Sequence, residues 1–190
     1  MFKKTIIGIT GRTGSGKSHA CKWINTNISS VEHIDCDNIG HQVLEMADIK
    51  PKLIDAFGAS IEENNKINRS KLGDIVFNNK AELLKLNTIV HPKICDEVNR
   101  IIQSTTKQVI IVEGALIHQV GLEHVCNHTI CIDSPTKAIL ERRPDKEVIL
   151  SKQPKANDYI NMCSHTIKNN TSIELFEKKL GQLFDRLNIN

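Results

Sequence analysis

The stretch Gly11–His19, GRTGSGKSH, carries the residue types and spacing of a phosphate cradle. Gly11, Gly16, Lys17 and Ser18 satisfy the pattern GxxxxGK[ST] in full. Glycines let the backbone curl so that successive N–H groups face one anion. A helix starting just after them adds its positive end. The ammonium of Lys17 reaches the β- and γ-phosphates of a nucleotide, and the Ser18 hydroxyl is a Mg²⁺ ligand. Gly14, Ser15, Gly16, Lys17 and Ser18 are therefore the candidate nucleotide contacts, with His19 closing the stretch.

A second group of candidates is the acidic pair in Glu32-His33-Ile34-Asp35-Cys36-Asp37. In a strand that stays extended through Asp37, Asp35 and Asp37 project to one side, because side chains alternate with period two. Beyond the carboxyl end of a parallel strand lies the ligand-binding edge of an open sheet. A carboxylate there accepts a proton from an attacking hydroxyl, or helps hold Mg²⁺ through water. The same pair is equally a strand-end acidic cluster that caps the next helix.

These residues need elements to position them. Thr5–Thr10 is a short, nearly continuous apolar run, as in a strand buried on both faces. Ser18–Asn27 reads as a helix and Val31–Asp35 as a second strand. From Asn38 to Arg100 the text is mostly helical with little strand signal. Lys80–Val90 carries one apolar stripe, and Pro92 interrupts it, so a further helix is expected to start there. Val109–Val112, Thr129–Ile132 and His165–Lys168 supply a third, fourth and fifth strand. Thr171 to Glu174 has capping-box spacing, and Ile173, Phe176, Leu180, Leu183, Phe184 and Leu187 then follow at helical intervals, which predicts a core-facing terminal helix. Alternating strands and helices predict an α/β fold: a parallel five-stranded sheet in three layers, with helices on both faces. The long helical stretch between strands two and three predicts a helical subdomain over residues 38–104 within a single domain, and residues 137–155 a short lid.

Composition narrows the classes. The 190 residues suffice for one sizeable core, and 39% hydrophobic with 25% charged residues fits a soluble protein. A net charge of +3 with no basic block argues against nucleic-acid binding, and 4% aromatics leaves few base-stacking surfaces. There is no apolar run of membrane length and no signal-peptide core, so a cytoplasmic protein is expected. Cys21, Cys36, Cys95, Cys126, Cys131 and Cys163 form no CxxC pair, and several sit in apolar runs, so they read as small buried hydrophobes in a reducing compartment. A guanine-reading NKxD is absent; Asn79-Lys80-Ala81-Glu82 ends in Glu and opens a helix. Remodelling ATPases need a longer chain, which leaves a small-molecule kinase.

Beyond the loop, the chain resembles the dephospho-CoA kinase family. The matching text is GITGRTGSGKS, HIDCDNIGHQVLE, FGASI, NRSKLGDIVFNN, LNTIVHPKI and HTIKNNTS, in the family's order and over most of the chain. The resemblance implies ATP with Mg²⁺ as phosphoryl donor and the ribose 3′-hydroxyl of dephospho-CoA as acceptor. It places the general base on Asp37, with Asp35 as the neighbour that positions it or the metal. It places acceptor contacts on Arg69, or a solvated Arg there, and on His91 of His91-Pro92, or a helix N-cap there. Asn169 and Asn170 fall in the loop beside the adenine, where Asn is also a good turn residue.

Three departures from the family text stand out. His19 replaces the usual Thr, either substituting for its hydrogen bond or facing solvent. Glu113 and Gly114 stand where a strand leads into a PLL-like turn, and Glu113 is a candidate carboxylate for water-mediated contact with Mg²⁺, or a helix cap. The lid is short: Arg142 and Arg143 are adjacent, Pro144 follows and Gln153 comes early. One of the two arginines is expected to neutralise the transferring phosphoryl, since neighbours on a helix diverge by about 100°. Two other readings follow from the loop: a kinase for a nucleoside or sugar, and, from His19 and the short lid, a nucleotide-binding regulator of weak catalysis.

Overall fold

A computed structural model of the chain describes residues 4–189. It forms two compact units, one from the N-terminal segment to Asp35 plus Ile102 onward, the other Cys36–Ile101.

In chain order the first unit begins with β1 (Thr5–Thr10), α1 (Lys17–Asn27) and β2 (Val31–Asp35). The second unit holds α2 (Cys36–Val43), α3 (Lys50–Phe57), the two-residue strands β3 (Glu62–Glu63) and β4 (Lys66–Ile67), α4 (Arg69–Val76) and most of α5 (Lys80–Ser104). The first unit resumes with β5 (Val109–Glu113), α6 (Ile117–Val120), β6 (His128–Asp133), α7 (Thr136–Arg142), α8 (Glu147–Lys152), α9 (Ala156–Met162), β7 (His165–Lys168) and α10 (Ile173–Arg186).

The sheet of the first unit has the order β2-β5-β1-β6-β7, every pairing parallel. β1 lies in the middle, so both of its faces are covered and its interior, Ile6 to Ile9, carries no polar side chain. Ile7 and Ile9 join Ile111, Ile130, Ile132 and Ile167 on the face that packs against Ala20 and Ile24 of α1 and Phe176, Leu180, Leu183 and Phe184 of α10. On the opposite face a side chain at Gly8 would meet Cys126, Thr129 and Ile117. The α/β reading with helices on both faces is what the chain forms.

Two details of the first unit differ from the sequence reading. The terminal helix is capped by Ser172, whose hydroxyl accepts from the Leu175 N–H at 3.4 Å, so the cap lies one residue beyond Thr171. Ile173 is then at the helix start and 60% exposed, outside the core stripe.

In the second unit α5 runs unbroken for 25 residues through Pro92. A proline removes one helical hydrogen bond and crowds the carbonyl four residues back, a cost of about 3 kcal/mol. The apolar stripe on both sides of it, Val90, Ile94 and Val98, is buried and holds the helix together. The β3–β4 hairpin turns on Asn64 and Asn65 at φ 51° and 57°. Two consecutive left-handed residues make a hairpin turn that Asn tolerates, and strands this short leave no periodic signal. No described helix is long and apolar enough to cross a membrane.

Candidate functional site

The phosphate loop connects the end of β1 to α1, and its shape rests on close approaches that only glycine permits. At Gly11 (φ 140°) a side chain would collide with the Ile132 carbonyl oxygen, and at Gly16 (φ 109°) with the Asn169 amide nitrogen. The helix that follows has Gly16 as its N-cap, no side-chain cap and no acidic residue in its first turn. Its first N–H groups therefore remain for an external anion, aided by the positive end of the helix. The Ser15 hydroxyl is buried and has no hydrogen-bond partner among the described residues, a donor to spare in the same loop.

The loop is braced from several directions. The buried Asn169 amide donates to the Ser15 carbonyl at 2.8 Å, and its own N–H donates to the Asp133 carbonyl at 2.7 Å. Ser134 Oγ donates to the Asn169 carbonyl at 2.8 Å. The Arg12 guanidinium donates to the Ser134 carbonyl at 2.8 Å and to Thr136 Oγ1 at 2.9 Å. Gln153 accepts from the Thr13 N–H at 2.8 Å. Lys17 Nζ, buried, donates to the carbonyls of Gly11 at 2.9 Å and Arg12 at 3.2 Å, which keeps its ammonium over the loop that would hold the phosphates.

A polar cluster adjoins the loop. β2 and β5 pair with Asp35 opposite Glu113 and His33 opposite Ile111. Ile111 belongs to the α1-facing core, and by alternation Glu113, His33 and Asp35 share that side. Ser18 Oγ donates to Glu113 Oε1 at 2.9 Å, and His33 Nε2 contacts Glu113 Oε2 at 3.0 Å. Burial works to raise the pKa of Glu113, but hydrogen bonds from His33, Ser18 and Cys21 overcome it and hold the carboxyl below its usual range. The bond to Glu113 raises that of His33. Glu113 thus faces Ser18 rather than capping a helix. A hydroxyl and an ionised carboxylate are hard oxygen donors of the kind Mg²⁺ takes, so the chemistry of this corner fits that ion.

The other sequence candidates fall as follows. His19 neither faces solvent alone nor turns to the loop: its Nε2 pairs with Glu177 Oε1 at 2.8 Å and its ring lies 5.9 Å from that of Phe176, tying α1 to α10. Asn170, next to the brace Asn169, is exposed. The arginines diverge. Arg142, last in α7, donates to the Ala138 carbonyl at 2.9 Å and to Ser134 Oγ at 2.6 Å. Arg143 grips Asp145 through two bonds of 3.0 Å.

In the second unit, Asp37 lies in the first turn of α2, because the helix begins at Cys36 directly after β2. The strand does not extend through Asp37, so a common projection of Asp35 and Asp37 by strand alternation is not formed. Asp37 is instead an exposed acid at a helix N-terminus, where a negative charge is favourable. Arg69 opens α4 and is exposed, while Asn68 caps that helix. His91 lies in mid-α5, half-buried, and is not an N-cap. Sequence reasoning passed over His33, Arg12 and Ser134; His33 meets Glu113 across 80 positions and Arg12 meets the Ser134 carbonyl across 122, and no local pattern marks them.

A family model described as dephospho-CoA kinase matches residues 5–174. A dephospho-CoA kinase of Fusobacterium nucleatum is 32% identical over 191 residues, covering 96% of this chain and 98% of its own. Among solved structures, the dephospho-CoA kinase from Campylobacter jejuni has a TM-score of 0.71 at 25% identity, covering 97% of each chain. TT1252 from Thermus thermophilus shares the fold with a TM-score of 0.80 at 21% identity, covering 97% of this chain and 98% of that one.

Proposed function

The chain belongs to the dephospho-CoA kinase family, and from that membership we infer that it uses ATP to phosphorylate the 3′-hydroxyl of dephospho-CoA, giving coenzyme A and ADP. The observation that carries the reading is the family match over residues 5–174 together with a phosphate loop held open by Asn169 and Lys17.

The roles we assign follow the chemistry. The N-terminal N–H groups of α1 and the ammonium of Lys17 bind the β- and γ-phosphates. Ser18, with Glu113 behind it, would hold Mg²⁺, which would supply positive charge to offset that of the phosphates. Asp37 takes the proton of the attacking hydroxyl. Arg142 is the arginine that meets the transferring phosphoryl, because its side chain already reaches Ser134, in the network that braces the loop. Asp35, Arg69, His91 and Asn170 are assigned to acceptor and adenine contacts on the family resemblance. His19 contributes its backbone N–H, since its ring is spent on Glu177. The cytoplasmic assignment rests on cysteine usage in the sequence, with no CxxC pair and several thiols in apolar runs.

The test is ADP release by pure protein with millimolar Mg²⁺, with and without dephospho-CoA. Acceptor-dependent release is expected, and its absence overturns the reading. Asp37→Asn should fold and bind ATP yet lose on the order of 10²–10⁴ in kcat, the range for a general base; a near-native rate removes Asp37 from that role.

A further inference from the structure

Three side chains beside the loop have a chemistry that Mg²⁺ does not need. Cys21 of α1, His33 of β2 and Glu113 of β5 each present one donor atom, and the three atoms lie within 4.8 Å of one another. A thiol, an imidazole and a carboxylate are the ligand types of a borderline-soft divalent ion. We propose that Cys21, His33 and Glu113 form a binding site for a cation of the Zn²⁺ class, adjacent to the Ser18 hydroxyl.

The geometry is near what such an ion requires. Bonds of about 2.3 Å to sulfur and about 2.0 Å to nitrogen and oxygen place tetrahedral donors about 3.3–3.6 Å apart. His33 Nε2 and Glu113 Oε2 are already 3.0 Å apart, and Cys21 is hydrogen-bonded to Glu113. Side-chain shifts of about 1 Å close the set around an ion with those bond lengths. The three donors come from three elements fixed by the β2–β5 ladder and the α1 core, so the site is built on rigid structure. Cys21 is 2% exposed and Glu113 7%, whereas the His33 side chain is 35% exposed, which gives an entry path and room for water as the fourth ligand. On ligation Cys21 releases its proton to solvent and binds as thiolate. Mg²⁺ demands six oxygen ligands in an octahedron and leaves sulfur and imidazole aside, so the site discriminates against the nucleotide's own ion.

Occupancy has a consequence for the loop. Glu113 now accepts the Ser18 hydroxyl; an ion that draws its carboxylate toward Cys21 and His33 disturbs the Ser18 corner. Zn²⁺ is therefore expected to inhibit nucleotide use through Glu113, which this site shares with the Ser18 corner.

The test reads metal alone and stands apart from the kinase reading. Chelator-treated full-length protein, without nucleotide, is titrated with Co²⁺ as a spectroscopic stand-in for Zn²⁺. The wild type should develop a thiolate-to-cobalt charge-transfer band in the near ultraviolet together with tetrahedral visible bands. Cys21→Ala should lose the charge-transfer band, while Cys163→Ala, a control at a separate thiol, keeps it. His33→Gln, which removes one of the three ligands, should weaken Co²⁺ binding by more than the roughly tenfold that loss of an outer-shell partner costs. A wild type with no such band, or a band that survives in Cys21→Ala, overturns the proposal. Should Cys21→Ala fail to fold, His33→Gln decides: unchanged Co²⁺ affinity there also overturns it.

Discussion

The phosphate loop and the lid lie in the same unit, yet their side chains are committed in opposite ways. The loop is held by partners far away in sequence: Asn169 reaches Ser15 across 154 positions and Gln153 reaches Thr13 across 140. The arginines of the lid are mostly held by close neighbours, Arg142 by Ala138 and Ser134, Arg143 by Asp145 two residues on. A loop fixed by the sheet is preorganised for charge, and its bonds need not change on binding. A lid whose guanidinium groups are satisfied locally must give up those bonds before it can serve a phosphate. Arg143–Asp145 is a solvent-exposed pair, screened by water, so exchanging it costs little. Arg142 and Ser134 form one part-buried bond of 2.6 Å, and Ser134 is itself a brace of the loop, so this contact joins lid to loop, as does Gln153 of the lid through the Thr13 N–H.

The strongest test of the contrast is Lys17→Ala. In a preorganised loop the backbone cradle survives without the ammonium, because Asn169, Arg12 and Gln153 still hold it. The expected result is a fall in kcat of about 10²–10³, the size of one lost charge-stabilising donor. Folding should be nearly unaltered by thermal melting. A variant that unfolds would show that Lys17 bonds to Gly11 and Arg12 are needed to form the loop, and the contrast would fail.

The two arginines sharpen the lid side. Arg142→Ala should lower kcat by about 10–10², because the group meant for the transferring phosphoryl is gone. Arg143→Ala should change kcat by less than about fivefold, as expected for an exposed pair that adds little. Single-turnover phosphoryl transfer separates the two effects from product release. The reverse ranking would move the catalytic assignment to Arg143 and make the Asp145 pair a latch.

Much of this loop was legible from local text. Gly11 to Ser18 carries its function in eight consecutive letters because phosphate binding is done by backbone N–H groups, and only contiguous residues shape a backbone. The parallel sheet was legible because strands buried on both faces must be apolar without interruption. What local text could not reveal was any role set by a distant partner. His19 looked like a departure within the loop, yet its ring belongs to α10 through Glu177. Asn169 read as an adenine-side or turn residue and is a buried brace. Asp37 was read on strand periodicity, but the chain turns helical at Cys36, and a boundary of one residue re-aims every side chain after it. Pro92 read as a helix start, but burial of Val90, Ile94 and Val98 on one stripe outweighs its local penalty. In each case packing decided between two conformations that the local sequence permits.

The smallest expected effect tests the brace itself. Asn169→Leu removes the amide that donates to the Ser15 carbonyl and leaves that buried oxygen unpaired. An unsatisfied buried acceptor costs about 1–3 kcal/mol, and in a chain of this size each kcal/mol lowers the melting temperature by about 2–4 °C. The side chain at 169 also packs against Gly16, where its amide nitrogen occupies the place a Cβ would take. Leucine has the same branching at Cγ and a similar size but is apolar, so it keeps the space filled while removing the bond. The expected outcome is a modest drop in melting temperature, a rise of several-fold in KM for ATP, and a kcat at saturating ATP that changes less than in Lys17→Ala. That split follows from where Asn169 acts. It touches the loop from behind and never the reacting oxygens, so it governs how often the cradle is formed rather than how well the formed cradle works. A variant that loses kcat as severely as Lys17→Ala, with KM unchanged, would place Asn169 among the groups that meet the nucleotide and would erase the distinction between bracing and binding on which the comparison of loop and lid rests.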